Sequence, residues 1–121
     1  MVKKVVIAGC RDYTNYQEAK KYIDMFLSKI KNEYEIVIIS GGANGADSIG
    51  ERYAMENGFK VEIFPAEWDK YGKSAGPIRN EKMAKASDFA ICFWDGKSRG
   101  TASMISCAKS EGKALRVVYI K

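Results

Sequence analysis

There is no histidine among the 121 residues of this chain. That absence removes Ser-His-Asp and Cys-His catalysis, together with most zinc chemistry. Cysteine is scarce and odd in number: Cys10, Cys92 and Cys107 lie far apart, with no CxxC pair. A disulfide framework or a cysteine-based zinc site is therefore not expected, and a reducing cytoplasm fits best. No internal repeat, linker or low-complexity tract interrupts the chain. Nor does any apolar run approach transmembrane length, so no membrane partner is expected. The run Val5 to Ala8, preceded by Lys3 and Lys4 and followed by Gly9-Cys10, superficially resembles a lipoprotein processing site. It is shorter than the roughly 7–15-residue apolar core of a signal peptide and reads as a buried strand.

Long runs of one charge are missing too. The lysines are scattered, although the formal charge is +5 and the pI near 9.1. A basic balance favours anionic partners through long-range attraction, without choosing between a polynucleotide and a small phosphorylated ligand. What remains is ordinary: 46% apolar and 29% charged residues describe a globular protein. The length suits one domain, residues 1–121, large enough to form a core without staples.

Taken in order, Lys3 to Ala8 is a short apolar run ended by Gly9-Cys10-Arg11-Asp12-Tyr13. Thr14 or Asn15 can cap a helix whose Ala19, Tyr22, Ile23, Phe26, Leu27 and Ile30 form one apolar stripe. Residues 35–39 form a second strand, continuously apolar from Ile36 to Ile39, as strands buried on both faces tend to be. After Ser40-Gly41-Gly42-Ala43-Asn44-Gly45-Ala46-Asp47 a helix carries Ala46, Ile49, Tyr53 and Asn57 on one face and stops at Gly58. Val61 to Phe64 is a third strand, closed by Pro65. Ala66 to Pro77 shows no periodicity and reads as a long binding loop, with Pro77 in the first turn of a helix reaching about Ala86. Phe89 to Trp94 is a fourth strand, with Trp94 expected in the core. Asp95 to Thr101 forms a second Gly/Ser-rich turn before a helix with Ile105 and Ala108. Gly112 ends that helix, and Leu115 to Ile120 is a fifth strand.

Strands and helices alternate throughout. The expected fold is therefore a single-domain, α/β, Rossmann-like doubly wound parallel sheet of five strands, order 3-2-1-4-5, with helices on both faces. Its topological switch point lies between the first and fourth strands, where ligands bind beyond the carboxyl ends. Three segments gather there: Gly9 to Asp12, Ser40 to Asp47 and Asp95 to Thr101. The turn after the first strand is not GxGxxG, and the turn after the second lacks GK[ST], which excludes a standard dinucleotide fingerprint and a P-loop. Without histidine, a general base would have to be a carboxylate: Asp12, Asp47, Glu67, Asp69, Glu81 or Asp95. No metal site and no cofactor are expected.

Five motifs then stand in register: Gly9-x-Arg11-Asp12, Ser40-Gly41-Gly42-Ala43-x-Gly45-Ala46-Asp47, Trp68, Gly76-x-x-Arg79-Asn80-x-x-Met83 and Asp95-Gly96-x-Ser98-x-Gly100-Thr101. Together they closely resemble the YspA-related branch of the SLOG superfamily, and the resemblance spans the chain from first strand to last. It implies a Rossmann-like domain for a nucleotide or nucleotide-derived ligand, with the glycine turns facing phosphate, and homodimers are common among such proteins. The Lonely-guy phosphoribohydrolases of that superfamily carry an R-x-x-x-M-A segment similar to Arg79 to Ala84. Their second motif, PGGxGTxxE, supplies a catalytic glutamate where this chain has Met104. Methionine cannot ionise or stabilise an oxocarbenium charge, so the departure argues against that mechanism and leaves binding intact.

The ligand-binding candidates are accordingly Gly9, Arg11, Asp12, Ser40, Gly41, Gly42, Ala43, Asn44, Gly45, Asp47, Trp68, Arg79, Asn80, Asp95, Gly96, Ser98, Gly100 and Thr101. Arg11 and Arg79 would pair with phosphate oxygens. Asp47 either caps its helix or accepts a ribose hydroxyl, and Asp95 divides in the same way between turn former and ligand acceptor. Trp68 either stacks on a base or folds onto the core. Asn80 is a ligand contact or a loop clamp. Three functional classes follow: a sensor or sequestering module for a nucleotide-derived, ADP-ribose-like ligand; a nucleotide hydrolase with Asp47, Asp95 or Glu67 as base; and a single-stranded nucleic-acid protein. The last is disfavoured by the lack of a basic run.

Overall fold

A computed structural model describes residues 1–121. Five parallel strands form one sheet: β1 (Val2–Gly9), β2 (Glu35–Ser40), β3 (Lys60–Ile63), β4 (Phe89–Trp94) and β5 (Ala114–Tyr119). Their order is β3-β2-β1-β4-β5, as the alternating pattern predicts. β1 pairs with β2 from Val2↔Glu35 to Val6↔Ile39, and with β4 from Val5↔Phe89 to Gly9↔Phe93. Its two neighbours are thus reached by connections running in opposite directions, which opens a crevice beyond its carboxyl end.

The helices divide between the two faces. On one side, α1 (Tyr16–Leu27) and α3 (Ala46–Asn57) bury Tyr16, Ala19, Ile23, Leu27, Ala46, Ile49 and Tyr53 against Val5, Ile7, Ile36, Ile38, Ile91 and Phe93. On the other, α5 (Ala75–Ala86) and α6 (Arg99–Ser110) bury Met83, Ala84, Met104, Ile105 and Ala108 against Val6, Ala8, Ile39, Ala90 and Cys92. Alternate residues of β1, β2 and β4 enter different cores, which is why those strands read as unbroken apolar runs. The start of α1 is set by Asn15, whose Oδ1 accepts the Glu18 N–H at 3.2 Å. No helix is long and apolar enough to cross a membrane.

Local departures from the sequence reading have simple causes. Within the stretch expected to be a loop lie a one-turn helix, α4 (Trp68–Tyr71), and a 3₁₀ turn, Gly72–Ser74. Single turns are too short for an apolar stripe to reveal, and neither buries a residue. α5 begins at Ala75, so Pro77 is its third residue. Proline is tolerated throughout the first turn, where N–H groups lack intrahelical acceptors. A short α2 (Ile30–Glu33) takes Ile30 out of the α1 stripe. Tyr22 faces outward, stacked on Phe26, and Asn57 at the end of α3 is exposed. Trp94 is half-buried, not enclosed, and its indole N–H donates to the Ser98 carbonyl at 3.0 Å.

Candidate functional site

Five polar side chains are buried in this protein: Ser40, Asp47, Asn80, Ser87 and Thr101. Four of them stand around the carboxyl ends of β1, β2 and β4; Ser87 alone is elsewhere, bonded to the Ala84 carbonyl behind α5. Buried polar groups are stabilised only by hydrogen bonds or by a ligand, so their concentration at one end of the sheet marks a built site.

The β1 end is held on both sides. The Cys10 N–H donates to the Phe93 carbonyl at 3.1 Å, and the Ala46 N–H donates to the Cys10 carbonyl at 3.1 Å. The chain turns into α3 through Gly45, at φ 74 and ψ −125, directly beneath the carbonyls of Cys10 and Arg11; a β-carbon there would collide with both. Gly41 is equally confined. A β-carbon on it would stand 2.6 Å from a terminal guanidinium nitrogen of Arg79 and 2.8 Å from Asp47 Oδ2. The missing side chain leaves room for an arginine and a carboxylate to converge over the turn.

Arg79, half-buried on α5, donates through NH1 to the Gly41 carbonyl at 2.9 Å and through Nε to Asn80 Oδ1 at 3.0 Å. Asn80 in turn donates to the Gly100 carbonyl at 3.3 Å and to Ser103 Oγ at 3.2 Å. It therefore clamps α5 to α6, while also lining the cavity described below. Asp47 is only 6% exposed, and its Oδ2 accepts the Ala43 N–H at 3.1 Å. Burial pushes its carboxyl above the ordinary value, opposed by the Ala43 N–H and by the charge of Arg79. Burial likewise weakens the hold of Arg79 on its proton, while Asp47 supports it. Asp95 behaves oppositely. It is exposed, and its Oδ1 accepts the N–H groups of Lys97 and Ser98 at 2.8 Å each, which holds its carboxyl below the usual value. Ser98 caps α6, its Oγ accepting the Thr101 N–H at 3.4 Å and the Thr101 hydroxyl at 3.1 Å.

These segments enclose a cavity of about 300 Å³. Its walls are Gly9 to Asp12, Ala43, Asp47, Arg79, Asn80, Asp95, Ser98, Gly100 and Thr101, with Ala8, Met83 and Met104 as apolar floor. A second cavity, of about 390 Å³, adjoins it and shares Arg11, Ala43 and Arg79. Gly41, Gly42, Asn44, Ile63, Pro65, Ala66 and the half-exposed Trp68 line the remainder. Trp68 therefore does not fold onto the core.

Not every candidate arrives at the site. Glu67 is exposed and lines neither cavity, its carboxylate 3.7 Å from Lys82, which removes it as a base for the first cavity. Ser40 lies behind the turn, its hydroxyl donating to Glu51 at 2.7 Å and accepting the Gly42 N–H at 3.0 Å. Gly45 and Gly96 line neither cavity. Conversely, Ile63 and Pro65 were not expected as lining residues, and Cys10 and Ala66 lie in segments expected at the site without being singled out themselves. Cys10 could have been found from its place directly after β1; the other three carry no chemical signal of their own. The buried Cys10 thiol is pushed up by desolvation and lies 4.0 Å from the Thr101 hydroxyl.

Comparison with known proteins agrees with this architecture. Residues 3–71, more than half of the chain, match the family described as YspA, cpYpsA-related SLOG. The chain is 38% identical over 118 residues to the Gene 61 protein of Mycobacterium phage D29, covering 92% of each. Among solved structures it is similar to DNA processing protein A (DprA) from Streptococcus pneumoniae, with a TM-score of 0.71 at 21% identity. That match covers all of this chain and 51% of DprA, so the chain spans about half the length of that protein. Similarity to the protein TM1055 gives a TM-score of 0.65 at 20% identity, over 95% of this chain and 72% of the other. At such identities the two structures speak for the fold alone.

Proposed function

The chain belongs to the YspA, cpYpsA-related SLOG family, and from that premise we propose that it binds a nucleotide or nucleotide-derived ligand, of the ADP-ribose-like kind, as a sensor or sequestering module. The observation that carries this reading is the gathering of three of the five buried polar side chains, Asp47, Asn80 and Thr101, around the cavity at the switch point of the sheet. Asp47, the one charged residue among them, is buried beside that cavity with no ion pair, one oxygen holding the turn through the Ala43 N–H. Two guanidiniums, Arg11 and Arg79, are available for phosphate oxygens.

Holding is favoured over cutting by Met104. It is buried at the floor of the cavity, where the related hydrolases carry their glutamate. Of the three carboxylates named for the hydrolase reading, Glu67 lines neither cavity and Asp95 is engaged by two N–H groups. Asp47 lines the cavity with its carboxyl raised by burial, and hydrolysis through it is the second reading.

The test is direct. The purified protein is denatured and any released nucleotide identified by mass spectrometry, followed by thermal shifts with mononucleotides, NAD and ADP-ribose. A ligand at 100 times its Kd stabilises by about 2.7 kcal/mol, a shift easily seen. Loss of that shift in Arg79→Ala, with the fold retained, is expected. Absence of any shift with any nucleotide overturns the proposal, and release of free base from a bound ligand establishes hydrolysis instead.

A further inference from the structure

At the opposite end of the sheet from the switch point, the amino ends of β1, β4 and β5 meet the end of α1 and the start of α2 around a cavity of about 250 Å³. None of its lining residues borders the two cavities described above. The strands contribute Lys3, Phe89, Ala114 and Arg116, all on the face that α1 and α3 pack against. Val5, Ile91 and Val118, two residues further along from Lys3, Phe89 and Arg116, are buried in the core on that face. The cover fails toward the amino end of β5: Val118 is buried, whereas Ala114 and Arg116 on the same face are exposed.

Phe26 of α1, Ile30 of α2 and Phe89 are each only partly buried against the core, so apolar surface faces the cavity. The charged groups of its wall are Lys3, Arg116 and Asp88, and none of the three belongs to an ion pair. Asp88 is turned to the backbone, its Oδ2 accepting the Lys4 N–H at 2.9 Å. Lys3 Nζ lies 4.9 Å from the centre of the Tyr34 ring, and Arg116 donates through NH1 to the carbonyl of its neighbour Leu115 at 3.3 Å. Two cations and one carboxylate leave a single positive charge in surplus beside apolar surface. Long cationic stems can cover such surface by themselves, yet here a volume of about 250 Å³ stays unfilled.

We infer that this cavity binds a small organic acid: a monocarboxylate whose oxygens lie between Lys3 and Arg116 and whose apolar body rests on Phe26, Ile30 and Phe89. The charge balance selects the monoanion. Ammonium and guanidinium groups form charge-assisted hydrogen bonds with a carboxylate. One surplus charge does not offset the dehydration of a phosphate dianion against apolar walls. A neutral apolar ligand leaves the cations unused, and a short polar acid leaves the aromatic walls unused. This site stands apart from the nucleotide reading and does not depend on it.

The experiment is amide NMR titration of the intact protein with phenylacetate, against phenylacetamide, acetate and AMP. Phenylacetate should shift the amides around Lys3, Phe89 and Arg116 saturably, with a Kd of about 1 mM or tighter, the scale reached by a ligand of roughly ten heavy atoms. Phenylacetamide and acetate should bind there at least about tenfold more weakly, the first for want of charge and the second for want of an apolar body. Arg116→Gln, at an exposed position, should keep the spectrum of the folded protein and weaken phenylacetate by roughly tenfold, since a hydrogen bond to a charged group contributes at this scale. Absence of saturable shifts at these amides overturns the inference, as does equal affinity for phenylacetate and phenylacetamide or an unchanged affinity in Arg116→Gln. Stronger saturable shifts there with AMP assign the cavity to phosphate and overturn it as well.

Discussion

Two glycine-containing turns follow parallel strands and open helices in this protein, and they are built on opposite plans. The turn from Ser40 to Asp47 is tightly packed at Gly41 and Gly45, although Gly42 and Asn44 are exposed. Its Gly42, Ala43 and Ala46 N–H groups are already bonded to Ser40 Oγ, Asp47 Oδ2 and the Cys10 carbonyl. The turn from Asp95 to Thr101 lies open, and β-carbons added at Gly96 or Gly100 would meet nothing within 4 Å. In the first turn, glycine makes room for neighbours; in the second, the work falls to Asp95 and Ser98, which bind the backbone and start α6. The lesson is that similar glycine-rich strings after strands can serve close packing in one place and local turn chemistry in another.

The comparison can be broken most decisively at Gly45. Gly45→Ala places a β-carbon against two carbonyl groups at a positive φ. It should destabilise the protein by about 3 kcal/mol or more, measured as a fall in the urea midpoint. A loss under about 1 kcal/mol would show that the first turn is as yielding as the second. Gly41→Ala acts next, by pushing the Arg79 guanidinium and Asp47 apart from the turn. A ligand that uses Arg79 should then lose about 1.5–3 kcal/mol of binding free energy, with a smaller change in melting temperature.

The aspartates of the two turns should titrate in opposite directions, read from carboxyl chemical shifts in NMR. Asp47, raised by burial, keeps its proton more readily in the folded state than in the unfolded one. It therefore favours the folded state at low pH, and that contribution is lost as pH rises through its folded value. Asp47→Asn should accordingly be more stable than the natural protein at pH 7, and the difference should shrink on acidification. Asp95, lowered by two N–H donors, contributes stability at neutral pH that is lost as pH falls through its folded value. Titration of both in the same direction would contradict the geometry. The smallest effect belongs to Gly100→Ala, which should alter stability by no more than about 0.5 kcal/mol in denaturant unfolding.

Much of this could be read without coordinates. The continuous apolar runs of β1, β2 and β4, separated by amphipathic stretches, were sufficient for the five-stranded order, because burial on both faces leaves a local signature. Asn15 and Gly58, at the ends of α1 and α3, were equally visible as caps. Boundaries slipped where no stripe exists, in α4 and at the start of α5. Within the site, Arg11, Asp47, Arg79, Asp95 and Thr101 were legible because each stands just after a strand or on a motif helix. Their roles were not. Glu67, Asp47 and Asp95 are chemically alike in sequence, yet one is exposed and ion-paired to Lys82, one is buried and one is held by backbone donors.

By itself, then, the sequence determined the order of strands, the placing of three turns at one end of the sheet, and the presence of Met104 where the hydrolase motif it resembles has glutamate. These rest on patterns within a few neighbouring residues, where hydrophobic period and backbone freedom act. Only the tertiary structure showed that Asn80 bonds α5 to α6 and that Glu67 pairs with Lys82 and lines neither cavity. It also brought Ile63, Pro65 and Trp68 together with Arg11 and Arg79 around a second cavity, and set the two aspartates in opposite environments. Burial, desolvation and charge pairing depend on groups distant in sequence, and folding alone brings those groups together.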